Sequence, residues 1–126
     1  MSSQTIQQTI ANYFAATRAM SLESWLATFA EDAISYEPDA PPLKGYQDLT
    51  HFFQGIISVF QQIGLTEESV FINGNEAAVK WIGHGVGKNG QEVAFEGIDV
   101  FEINDAGKIQ QMWAYWYPQK MMAQLA

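Results

Sequence analysis

A chain of 126 residues is the length of one domain and should bury roughly two thirds of the surface that its unfolded form exposes. Fourteen acidic residues against six basic ones leave a formal net charge of −8, which repels phosphate backbones and anionic lipid, so neither nucleic acid nor a membrane is an expected partner. The absence of cysteine removes disulfides, thiol nucleophiles and thiolate metal sites together, and fits a reducing compartment.

The opening residues MSSQTIQQTI are polar and uncharged, without the basic and apolar regions of a secretory signal, and no apolar run reaches the length of a membrane span. A cytoplasmic protein is the expectation. From Ser3 to Met20 the side chains Ile6, Ile10, Tyr13, Thr17 and Met20 recur at steps of four and three, the spacing of one face of a helix. Leu22, Trp25, Leu26 and Phe29 make the same pattern for a second helix. Ala33 to Glu37 reads as a short strand. Pro38 ends it, because its ring holds Glu37 extended and supplies no N–H to a ladder. The segment P-D-A-P-P is a loop, and after Gly45 a third helix is expected to run to about Ile63, burying Leu49, Phe52, Phe53, Ile56 and Phe60.

Beyond that helix the apolar period changes to two. The turn signals N73-G-N, K88-N-G and N104-D-A-G separate four strands, at roughly 65–73, 76–87, 91–103 and 108–118. Helices followed by a meander predict an α+β fold, an antiparallel sheet with its helices on one face, able to curl and leave a cavity at the open end. One residue sits oddly in this pattern. Asp99 shares its alternation parity with Val93, Phe95, Gly97, Phe101 and Ile103, so the third of these strands places a carboxyl on an apolar face.

Over nearly its whole length the chain resembles the ketosteroid isomerases and, more broadly, the NTF2-like and SnoaL-like superfamily. The resemblance rests on Y13-F-A-A, F29-A-E-D-A followed by E37-P, G45-Y-Q-D-L-T-H-F-F, I98-D-V-F and G107-K-I-Q-Q-M-W-A-Y-W116. It implies a single domain over 1–126, a cone in which three N-terminal helices pack in a curved, mostly antiparallel sheet. It also implies site roles. Tyr13 matches the oxyanion-hole tyrosine, Glu37 the general base that precedes a proline, and Asp99 the carboxylic acid kept neutral by apolar surroundings, for which ketosteroid isomerase is itself the standard example. Trp116 matches an aromatic lining the pocket, and with Phe53, Val79, Trp81 and Phe101 it makes up the expected substrate-binding wall. Three departures accompany the match. Glu37 is one methylene longer than the family's aspartate, Phe29 and Phe53 stand where some members carry supporting tyrosines, and Gly83 and Gly85 replace bulkier wall residues.

The chemistry of these side chains agrees with the roles so implied. Moving a proton between carbons beside a carbonyl needs a base to take and return it, and donors to meet the charge that develops on oxygen. A partly desolvated Glu37 suits the first task, Tyr13 supplies a phenolic donor, and Asp99 donates if apolar neighbours keep it protonated. Each residue also has a plainer reading. Tyr13 could be a core tyrosine, Glu37 a solvated loop acid, and Asp99 a partner for Lys80 or the backbone. His51 and His84 read as surface or satisfied histidines. No spacing of histidines and carboxylates suggests a metal, and no nucleophile elbow or phosphate loop is present, so no cofactor is expected. The sequence therefore predicts cofactor-free, isomerase-like proton transfer on an apolar cyclic ketone by Glu37, Tyr13 and Asp99. A polyketide cyclase of the SnoaL-like kind and a non-catalytic binding module are the alternatives. The outward parity of Ile98, Val100, Trp113, Tyr115 and Tyr117 predicts a two-fold homodimer through the outer face of the sheet.

Overall fold

The computed structural model describes residues 2–126. Helix α1, Ser3–Ala19, starts at Ser2, whose hydroxyl accepts the Thr5 N–H at 3.2 Å, and stops at Met20, which turns into the left-handed region at φ 52°. Its buried face carries Ile6, Ile10, Tyr13 and Phe14, the stripe that the three-and-four spacing requires.

Helix α2, Leu22–Leu26, is shorter than its apolar spacing predicts. Thr28 hydrogen-bonds back to the Trp25 carbonyl at 2.7 Å, and Phe29 is not the last helical residue but the first of strand β1, Phe29–Tyr36. Pairing decides this: Phe29 lies opposite Ile109, whose N–H donates to the Thr28 carbonyl at 2.8 Å. Strand β1 ends before Glu37 and Pro38, where the proline predicts it should. A short β2, Leu43–Lys44, precedes helix α3, Gly45–Ile57.

The same competition shortens α3. Phe60 was expected on its buried stripe, yet it opens strand β3, Phe60–Asn73, opposite Gly87. Its side chain packs with Ile63, Val93 and Met121 in a second apolar cluster. Strands β4, Glu76–Gly87, β5, Glu92–Ile103, and β6, Ile109–Trp116, follow the period-two pattern closely. The chain ends in helix α4, Pro118–Ala123, with Pro118 in its first turn, where a missing N–H costs nothing.

All six strands form one sheet in the order β2-β1-β6-β5-β4-β3. Every neighbouring pair is antiparallel except β1 and β6, so the sheet is mixed and curved, the NTF2-like α+β architecture. Its concave face buries Val79, Trp81, Asp99, Phe101, Met112 and Ala114 against α1 and α3. Thr17 fastens α1 to β3, accepting the Leu65 N–H at 3.0 Å. Among the described residues no helix is long and apolar enough to cross a membrane.

Candidate active site

Tyr13, Glu37 and Asp99 come from α1, the end of β1 and the middle of β5, and all three line one cavity on the concave face. Tyr13 is buried among aromatic edges: its ring centroid lies 5.0 Å from Phe14, 5.1 Å from Phe101 and 6.0 Å from Phe29. Burial pushes its pKa well above the usual phenol range. The neighbouring carboxyls Asp99 and Glu37 add to the rise when ionised, and the nearby Trp25 indole opposes it. The hydroxyl therefore remains a donor at any physiological pH. Phe29 packs edge-on where a tyrosine would bring a second hydroxyl.

Glu37 is held by two donors. The Trp116 indole N–H reaches Oε1 at 3.2 Å, and the Ser35 hydroxyl reaches Oε2 at 3.3 Å. Burial dominates over both bonds and raises the pKa from 4.5 to about 7. Near neutrality the carboxyl is thus divided between base and conjugate acid, the condition under which a proton shuttle works best. Asp39, in the same loop, is exposed, adopts φ 59° and does not line the cavity.

Asp99 is 1 % exposed, and its Oδ2 has no hydrogen-bond partner. Burial raises its pKa well above the ordinary aspartate range, the Glu37 charge raises it further, and the nearby Trp81 indole opposes the rise. Lys80, the cation nearest in sequence pattern, points to the other face and pairs with Glu96 at 2.9 Å. These surroundings favour the protonated form of Asp99, a neutral acid able to donate.

The cavity has a volume of about 80 Å³ and is open to solvent at its mouth. Three aromatic rings narrow it: Phe95, Trp81 and Trp116 stand 5.7 to 6.2 Å apart, centroid to centroid. Glycines make room for them. A Cβ on Gly83 would fall 2.5 Å from the Phe95 ring, and one on Gly97 would fall 2.5 Å from Trp81. Gly83 thus contracts the cavity by admitting Phe95. Of the expected wall, Phe53, Trp81 and Trp116 line it; Val79 and Phe101 do not, being wholly buried beneath it. Residues that the pattern left unassigned complete the lining. Phe95 was legible from its shared parity with Asp99, whereas Met121 arrives on α4, which strand spacing does not reveal. His51 and His84 are exposed. Among the described residues no cluster of three or more histidine or carboxylate side chains could hold a metal, and Glu37 and Asp99 are the cavity's only carboxyls there.

The SnoaL-like domain profile matches residues 10–112. No curated protein matches the chain in sequence. Among solved structures, a candidate polyketide cyclase from Xanthomonas campestris pv. campestris superposes with a TM-score of 0.86 at 23% identity, covering 98% of each chain. An NTF2-like protein from Burkholderia pseudomallei K96243 also reaches 0.86, at 16% identity over 100% of this chain and 99% of that one. AclR, a candidate hydroxylase from Streptomyces galilaeus, reaches 0.85 at 16% identity over 98% and 97%. At these identities the likeness is one of fold, and three differently described proteins share it.

Proposed function

The chain belongs to the SnoaL-like domain family, and from that premise we propose that it is a cofactor-free acid–base catalyst of the polyketide-cyclase type. In this reading Glu37 takes the proton beside a ketone of a small, largely apolar molecule, while Tyr13 and neutral Asp99 donate to the oxygen that becomes negative. The enolate carbon then attacks a second carbonyl of the same molecule, and the new alkoxide takes the proton that Glu37 holds, which closes the ring and restores the base. The observation that carries this reading is that Glu37, the buried Tyr13 hydroxyl and the unpartnered Asp99 carboxyl share one apolar cavity, whose burial raises the pKa of all three.

Double-bond isomerisation is the second reading. It shares the first step and differs only in Glu37 returning the proton to another carbon, and the pairing of Tyr13 with a neutral Asp99 favours it. The cavity is well below the roughly 300–1,000 Å³ usual for a drug-sized ligand, so the reacting ring sits inside and the remainder lies in the open mouth. A second copy of the chain is the proposed partner. Ile98, Tyr115 and Tyr117 stand 44%, 60% and 69% exposed on the outer face, beside a shallow groove of about 790 Å³.

Exchange of α-protons of cyclic β-diketones and β,γ-unsaturated ketones in D₂O, followed by NMR, tests the shared step whatever follows it. Glu37→Gln should slow exchange by about 10²- to 10⁴-fold, and Glu37→Asp reports whether the backbone has adjusted to the longer side chain. Full exchange by Glu37→Gln would show that the base lies elsewhere. A wild-type protein that binds apolar ligands in the cavity but exchanges nothing is a binding module.

A further inference from the structure

Two polar atoms in the cavity wall lack partners. One is Oδ2 of Asp99; the other is the indole nitrogen of Trp81, a residue only 2 % exposed. The sheet register makes them neighbours. Val79 lies opposite Asp99 and Trp81 opposite Gly97, so Trp81 and Asp99 are diagonal on the same concave face. Gly97 sets the pose of the indole, since a Cβ there would fall 2.5 Å from Trp81 Cζ2 and force the ring away.

An orphaned buried donor destabilises the free protein, and such groups persist where a ligand completes them. The indole N–H can only donate. The Asp99 carboxyl lies near enough to the indole for the N–H to lower its pKa, yet neither Oδ2 nor the indole nitrogen has a formed hydrogen bond, so a ligand that completes the indole brings its acceptor into a space shared with Tyr13 and Asp99. A ketone oxygen has two lone pairs, which Tyr13 and Asp99 already satisfy. An enolate or phenolate oxygen carries a third and more charge, so a third donor acts chiefly on the ionised form.

We infer that Trp81 is a catalytic residue, a third hydrogen-bond donor to the ligand oxygen beside Tyr13 and Asp99, and that the cavity consequently selects oxygens with developed negative charge, enolates and phenolates, over ketones and alcohols. This inference rests on the reading of the cavity as an oxyanion site and adds to it the residue that discriminates ionised from neutral ligands. Phe95 and Trp116 line the same space and offer apolar ring surface to a ligand.

The test is binding alone, without turnover. Para-substituted phenols of falling pKa are titrated into the wild type and Trp81→Phe, with the phenolate absorbance read in each complex and toluene as the ligand without oxygen. Trp81→Phe keeps the ring and removes the N–H. It should weaken phenol binding about tenfold or more and lower the bound ionised fraction, leave toluene affinity unchanged, and leave the melting midpoint of the free protein unchanged or raised. The last sign separates a ligand donor from a structural one, whose loss would lower the midpoint. Equal phenol affinity in the two proteins, an equal loss for toluene, or an effect that vanishes in an Asp99→Asn background would overturn the inference; the last would make Trp81 a positioning residue for Asp99. Should Trp81→Phe not fold, benzothienylalanine at position 81 replaces the N–H by sulfur in the same shape. Tyr13→Phe separates the two claims. If it weakens phenol binding while the Trp81 variants do not, the oxyanion site stands and Trp81 has no part in it. If the wild type binds no phenol, both fall.

Discussion

Glu96 and Asp99 lie three residues apart on β5 and point to opposite faces of the same sheet. Glu96 is exposed, pairs with Lys80 at 2.9 Å, and through that hydrogen bond raises the lysine's pKa. Asp99 is buried in the wall of the cavity, has its pKa raised by that burial and has an oxygen without a partner. One functional group is thus a screened counter-ion on one face and, on the other, a buried acid whose pKa is raised. The side chain does not decide between these roles; the dielectric around it does. The outer face also leaves Ile98 and Tyr115 in the open, while the inner face covers Phe101 completely.

The largest effect expected from this contrast is mechanical. Phe101 is fully buried and packs edge-on against Tyr13 and Phe14, so Phe101→Ala should cost about 3–5 kcal/mol in urea unfolding. A loss below about 1 kcal/mol would mean that the concave face is not close-packed, and the contrast with the outer face would fail.

Next comes the pH dependence of stability. Folded Glu37 keeps its proton to about pH 7, whereas the unfolded chain releases it near 4.5. Between those values the unfolded state binds fewer protons, so the contribution of Glu37 to stability is fully present below pH 4.5 and is lost as pH rises through 7, a change of about 3 kcal/mol. The raised pKa of Asp99 acts in the same direction. Glu37→Gln should flatten this decline and be the more stable protein at pH 8. A wild-type stability that rises from pH 5 to 8 would show that the carboxyl is solvated.

Association through the outer face is a smaller effect. Tyr115→Glu should weaken dimerisation by at least about tenfold, visible in sedimentation at micromolar concentration, without altering phenol binding. A monomeric wild type removes the dimer. Smallest of all is Lys80→Ala: its ion pairs with Glu96 and Glu68 are exposed, so the melting midpoint should not move measurably. A clear loss there would show that the outer charges do more than hold solvent.

Much of this arrangement was legible along the chain, because it depends on neighbours within a turn or a strand. The period-two pattern put Asp99 inward with Phe101 and Ile103, the three-and-four spacing put Tyr13 on the buried face of α1, and Pro38 ended β1 just before Glu37. Other features required residues remote in sequence. Phe29 and Phe60 fit a helical stripe locally, but opposite Ile109 and Gly87 each gains a strand partner that no local pattern contains. The hold of Trp116 on Glu37 spans 79 positions, and the narrowness of the cavity follows from Phe95 lying across Gly83 on the adjacent strand. Local periodicity therefore determined which side chains face inward. How tightly they close on one another, and hence how far the pKa values of Glu37 and Asp99 are displaced, was decided only by the packing of helices against the curved sheet, because desolvation is the sum of everything that surrounds a charge.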